Sequence, residues 1–243
     1  MQRAAPPGDR RPPARRGGRG ANLTPDRIIA AALDELDDGG LAAFSVRNVA
    51  QRLGVYPTAI YWHVASRDAI LAEIVARVLE AAEPRRALPW QRYLRALFRG
   101  YRAAIKRHPA AAPLVGAHLV GNRSIRLSLV EGVLAKLGEA GFAGDELVCA
   151  YNTVIAALVG FVTQEFAAVP DDERAAWRTA VRQRLAPGKL ASYPVLRDNL
   201  RRLANRAFIL RWQTGAEAPL DRSFERYVDV VIGGLASLAR KRR

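Results

Sequence analysis

Thr58, Tyr61, His63 and Arg67 lie close together in the chain and offer hydroxyl, imidazole and guanidinium groups over one short stretch. The pairings that enzymes use do not accompany them. The chain has no glycine-rich phosphate loop, no nucleophile elbow, no histidines at metal spacing and no paired catalytic carboxylates. Its three histidines, His63, His108 and His118, are scattered. A short helix showing polar and aromatic groups, with its back held by a neighbour, suits the DNA major groove rather than turnover.

The elements that would position these groups are legible around them, in SVRNVAQRLGVYPTAIYWHVASR over residues 45–67. The Ser45 hydroxyl can cap a helix by accepting a first-turn N–H. Val46, Val49, Ala50 and Leu53 then form an apolar stripe at helical spacing. Gly54 stands where a helix ends in a left-handed residue. Pro57 suits the first turn of a second helix, which Ile60 and Val64 would pin inward. That helix is too short to persist alone, so the first must carry it. The spacing predicts a helix-turn-helix.

The rest of the chain predicts an all-α fold. Residues 1–22 hold six arginines and four prolines with Asp9 the only acid, the composition of a disordered basic arm. Thr24-Pro25-Asp26 starts a helix that Gly39-Gly40 ends. Ser66 caps another, lined by Ile70, Leu71, Ile74, Val75, Val78 and Leu79. Residues 23–83 thus read as a helix-turn-helix domain. Residues 84–243 read as a second helical domain, with helices expected over 89–107, 111–120, 122–140, 145–168, 171–185, 194–208 and 221–239. The helix over 145–168 is apolar nearly all round, which predicts burial.

Across 243 residues the net charge is +15, almost all from arginine. Such a balance favours a polyanionic partner, nucleic acid before anionic membrane. The lone Cys149 permits no internal disulfide and fits a reducing compartment and a place in the core. The run Leu147 to Val162 is short for a bilayer span. A cytoplasmic protein without a membrane partner is expected.

The run LTPDRIIAAALDELDDGGLAAFSVRNVAQRLGV followed by AIYWHVASRDAIL resembles the tetracycline-repressor (TetR) family of bacterial transcription regulators. Tyr61-Trp62-His63-Val64 is its most specific part. GFVTQEFA at 160–167, SYPVL at 192–196 and the final FERYVDVVIGGL extend the likeness into the second half. Ala59 and Tyr56 depart from it, standing where relatives commonly carry threonine and a small capping residue.

The resemblance implies an N-terminal helix-turn-helix DNA-binding domain and a C-terminal ligand-binding and dimerisation domain, in a homodimeric repressor. A small-molecule effector would release it from a palindromic site on double-stranded DNA. Arg47 matches a position that reaches a base edge, where a guanidinium suits guanine. Thr58, Tyr61, Trp62, His63 and Arg67 match recognition-helix and following positions, with Tyr61 and His63 mainly on phosphates. Trp62 either packs under the helix or flanks the DNA backbone. Candidate effector contacts are Phe98, Tyr101, His118, Asn152, Phe161 and Gln164, with core packing or dimer contact as the alternative for each. Candidate dimer contacts are Tyr151, Ile155, Val159, Tyr227, Val231 and Leu235, on two helices whose apolar stripes are wider than one subunit needs. No cofactor or metal is implied, because His118 has no acidic partner at helical spacing. The rival to a specific regulator is a sequence-independent binder driven by charge, served by the basic arm and Arg240-Lys241-Arg242-Arg243.

Overall fold

The computed structural model describes residues 23–120, 126–167 and 174–240. The basic arm of residues 1–22 lies outside them. The described residues form eleven α-helices and no strands.

Thr24 opens α1 (Pro25–Ala43) by accepting the Arg27 N–H at 3.3 Å. The helical backbone breaks at Gly40 (φ 68°), where the glycine pair predicts an end, and a short turn follows. Ser45 then caps α2 (Val46–Leu53) through the Asn48 N–H at 3.1 Å. Gly54 closes it in the left-handed region (φ 67°), a conformation that costs a residue with a Cβ far more. Pro57 begins α3 (Pro57–Tyr61), and Ser66 caps α4 (Arg67–Ala82) through the Ala69 N–H at 3.1 Å. Each such cap contributes about 1 kcal/mol.

The second part comprises α5 (Trp90–Arg107), α6 (Ala112–Val120), α7 (Leu127–Glu139), α8 (Asp145–Glu165), α9 (Arg174–Arg184), α10 (Pro194–Leu203) and α11 (Asp221–Arg240). Short 3₁₀ turns at Pro109–Ala111, Pro187–Leu190 and Phe208–Leu210 punctuate it. The helix expected over 194–208 stops at Leu203, and Phe208 belongs to a 3₁₀ turn instead. One hydrophobic core runs without interruption from Ile28 to Ala239. α4 packs along α5 and also touches α6, so the residues read as two domains share a seam rather than a linker. There Gly100 approaches so closely that a Cβ would lie 2.9 Å from the Ala82 carbonyl oxygen. The turn Pro109–Ala111 packs on α1, and His108 Nδ1 lies 2.6 Å from Asp37 Oδ2.

Two expectations about α8 need correction. The helix runs 21 residues from Asp145 to Glu165, beyond the apolar run, and is long and apolar enough by length and composition to cross a membrane. Its burial is one-sided. Ala150, Val154, Ala157, Leu158, Phe161, Val162 and Glu165 face the core, whereas Val148, Cys149, Asn152, Thr153 and Ala156 are exposed. Cys149 is therefore a surface residue, not a core one. Apolar composition all round gave no phase from which to choose its buried side.

Candidate functional site

Ile60 is fully buried and Val64 nearly so, which turns the rest of α3 outward. Thr58, Tyr61, Trp62 and His63 are all exposed, together with Arg47 on the first turn of α2. Trp62 is 88% exposed, which rules out packing beneath the helix. Tyr56 is 82% exposed and makes no capping bond, so it joins this surface although sequence reasoning left it out. The signal was its place one residue before Pro57, where a capping side chain would have been tied to the helix. α3 ends at Tyr61, so His63 sits in the turn that follows it.

The two helices are held by polar ties as well as by their stripes. Asn48 Nδ2 donates to Glu35 Oε1 at 2.8 Å, and Arg52 bridges to Glu35 at 3.2 Å and to Asp38. Both ties fix α2 against α1. Arg67 faces back toward the end of α1. Its guanidinium donates to the Leu41 and Phe44 carbonyls at 3.4 Å each and lies 5.4 Å from the Phe44 ring centroid. That steadies the turn leading into α2, which carries Arg47. No partner for Arg47 occurs among the described residues. The face therefore presents a guanidinium, hydroxyls, an imidazole and three aromatic rings, the groups that meet phosphates and base edges.

The second constellation lies where α5, α8 and α11 meet. Phe98 and Tyr101 are fully buried and Phe161 nearly so. Phe161 stands against Phe208, Phe224 and Tyr227 at centroid distances of 5.0, 5.5 and 5.1 Å. Phe98 meets Tyr227 edge-on at 6.4 Å. Asn152 and Gln164 do not join this interior; both are exposed on α8. His118 falls on α6, and its side chain lies outside the described residues.

Sequence reasoning missed the charged group beside these rings. Arg102 is clamped to the fully buried Glu165 by two hydrogen bonds of 2.8 and 2.7 Å, bridges to Asp221 at 2.8 Å and lies 4.7 Å from the Phe224 centroid. Glu165 also accepts the Leu220 N–H at 2.8 Å. Burial works against the Arg102 charge, but the bonds to Glu165 and Asp221 outweigh it and raise its pKa. Glu165 was the readable signal, since an acid four residues after Phe161 falls on the buried stripe of an apolar helix. Nothing comparable marks Arg211, which is 7% exposed and donates to the Gln213 and Ala218 carbonyls. Among the described residues no three His, Cys, Asp or Glu side chains are grouped to hold a metal ion.

The six dimer candidates divide. Tyr151, Ile155, Val159, Tyr227 and Val231 are half-buried, and the Tyr227 hydroxyl donates to the Ala157 carbonyl at 3.0 Å. Leu235 is 3% exposed and belongs to the subunit core, which corrects the expectation for it. Spacing of three and four defines two neighbouring stripes on α11, and the outer one is Val230, Gly233, Gly234 and Leu238.

Two family patterns cover most of the chain. That of the bacterial regulatory proteins of the tetR family matches residues 28–74, and that of the tetracyclin repressor-like C-terminal domain matches residues 83–238. A transcriptional regulator of the helix-turn-helix type from Saccharopolyspora erythraea is 33% identical over 73% of this chain and 75% of its own. The class A tetracycline repressor of Escherichia coli is 30% identical over 88% of this chain and 91% of its own. Among solved structures, BioQ of Mycobacterium smegmatis superposes with a TM-score of 0.61 at 25% identity, over 88% of this chain and 98% of its own. BioQ bound to its natural double-stranded DNA operator superposes with 0.55 at 28% identity, over 66% and 97%. The chain belongs to the tetR family of bacterial regulatory proteins and is a DNA-binding transcription regulator.

Proposed function

We propose that this regulator is a homodimeric repressor that grips a palindromic operator through α2 and α3 and leaves it when a small molecule binds among α5, α8 and α11. The observation that carries the reading is the outward face of Arg47, Tyr56, Thr58, Tyr61, Trp62 and His63 over a buried Ile60. So large an exposed aromatic set has no use in the subunit's own packing. Resemblance to a repressor of Escherichia coli and to a protein solved on its operator supports the sign and the target. Arg67 acts through the turn it holds rather than on DNA directly.

The dimer reading rests on the exposed halves of α8 and α11. Val148, Cys149, Ala156, Val230, Gly233, Gly234 and Leu238 are exposed there, and Cys149, Val230, Gly234 and Leu238 line one groove whose glycine and cysteine would let a helix of a second copy approach closely. Two copies would present two α3 helices, and half-sites about 34–36 Å apart fit one face of DNA. The test is fluorescence anisotropy on the protein's own upstream DNA against a scrambled duplex at about 0.15 M salt. A strong preference with two subunits per site is expected. Equal affinity for both duplexes would favour the charge-driven binder instead. Sedimentation of a Gly234→Glu variant should give monomers; a persistent dimer would move the interface elsewhere.

A further inference from the structure

The residues of α3, Pro57 to Tyr61, carry no charge and no side-chain amide. With Ile60 turned into the core, the helix offers outward the Pro57 ring, the Thr58 hydroxyl and methyl, the Ala59 methyl and the Tyr61 phenol. Thr58 is exposed, and Pro57 and Ala59 are half-buried. The Thr58 hydroxyl has no hydrogen-bond partner among the described residues, whereas Thr153 and Thr179 each donate to the carbonyl four residues back. Polar groups on the flanking helices do not make good what α3 lacks. Asn48 is tied to Glu35, Arg52 to Glu35 and Asp38, and Arg67 to the Leu41 and Phe44 carbonyls. Arg47 and Gln51 stay exposed, but both stand on α2. Such a helix cannot form the paired hydrogen bonds by which arginine selects guanine or an amide selects adenine. The groups that distinguish adenine, guanine and cytosine in the major groove are polar. Methyl groups laid against them would strip water without replacing its hydrogen bonds, which is costly. Thymine alone carries a methyl there, and its O4 can accept from a hydroxyl.

We infer that α3 selects thymine. Thr58 and Ala59, with the Pro57 ring beside them, hold thymine C5 methyl groups in each half-site, and the Thr58 hydroxyl donates to the O4 of one of those bases. This rests on the proposed grip of α2 and α3 on the operator and adds the bases that α3 reads. The steps under α3 are then T·A pairs, and a guanine in the half-site belongs to Arg47 on α2. Tyr61, at the other end of the helix, is left for the DNA backbone, which positions the head without choosing a base.

The experiment selects duplexes from a random pool with the full-length protein at about 0.15 M salt. Each thymine of the best duplex is then replaced, one at a time, by deoxyuridine, which removes the methyl and keeps every hydrogen-bonding group. The selected half-sites should share invariant T·A pairs. Uracil at one or more of these should weaken binding about three-fold or more, as expected for the loss of one buried methyl. Thr58→Ser keeps the hydroxyl and deletes the methyl, and Ala59→Gly deletes the other methyl. In one or both variants the uracil penalty at the matching position should vanish, because the contact is already gone. Half-sites without an invariant T·A pair, no uracil penalty at any thymine, or a penalty that both variants retain overturns the inference. A pool that yields no preferred sequence overturns the operator reading itself, and the inference with it, so the two failures are told apart at the selection step.

Discussion

The helix-turn-helix part and the C-terminal part of the chain are built on opposite plans. In the first, the caps at Thr24, Ser45 and Ser66 each bond three residues ahead, and one turn glycine sets the angle between α2 and α3. Its apolar groups face in, Phe44 among them, while Tyr56, Tyr61 and Trp62 face out. In the second, the ties cross long stretches of chain: Arg99 to Glu225 and Arg95 to Asp229 are 126 and 134 residues apart. There Phe98, Tyr101, Phe161 and Phe224 face in, and Phe224 lies against the Arg102–Glu165 pair. A reading surface must be stiff and locally specified, because a shifted side chain misses its base. An interior that answered to a ligand, as proposed, would gain from long-range ties, because one ligand could then disturb several helices at once.

The sharpest test of this contrast is Glu165→Ala. It strands Arg102 without its buried partner and should cost about 3–5 kcal/mol, read by urea denaturation, while the α2–α3 face stays intact in any protein that remains folded. A loss below about 1 kcal/mol would mean that water reaches Arg102 and that the interior is not dry. On the other side, Arg47→Ala should weaken specific DNA binding by roughly 1–3 kcal/mol and relax one base pair per half-site, with unchanged stability. An equal loss on scrambled DNA would reassign Arg47 to a phosphate. Ser45→Ala should lower stability by about 1 kcal/mol through the lost cap, and amide exchange should quicken at Asn48 and its neighbours before anywhere in α8.

The smallest effect belongs to the outer ties. The Arg99 guanidinium holds the Glu225 carboxyl below its usual range, partly opposed by burial. A carboxyl lowered on folding adds stability above the unfolded pKa, about 4.3 for glutamate, and loses it as pH falls through the folded value. Both side chains are about half exposed, so solvent screening limits the gain to under about 1 kcal/mol. Arg99→Ala should therefore lower the neutral plateau of a stability profile by under about 1 kcal/mol, leave its acid end unmoved and so flatten the acid limb slightly.

Legibility in the sequence follows the same divide. Ser45, Gly54, Pro57 and Ser66 announce their own geometry, since each acts within a few residues of itself. The apolar stripes of α1, α4 and α5 announce their buried sides. The phase of α8 was hidden because its residues are apolar on nearly every side, which misplaced Cys149. On α11 the stripe holding Leu235 and the one holding Val230 and Leu238 have similar composition, so only packing separates them. The exposure of Tyr56 and the burial of Arg211 depend on what lies across from them in space, which periodicity does not encode.

The close passage of Gly100 against Ala82 bears on how such regulators can be recombined. α4 carries Val75, Val78, Leu79 and Ala82 buried, and the helix packs against α1 on one side and α5 on the other. A chimaera cut after residue 74, where the first family pattern ends, would separate those four side chains from the helix that begins their row. A working biosensor made from this reading head would have to keep α4 whole and accept only sensor modules with a glycine, or nothing larger, where Gly100 stands.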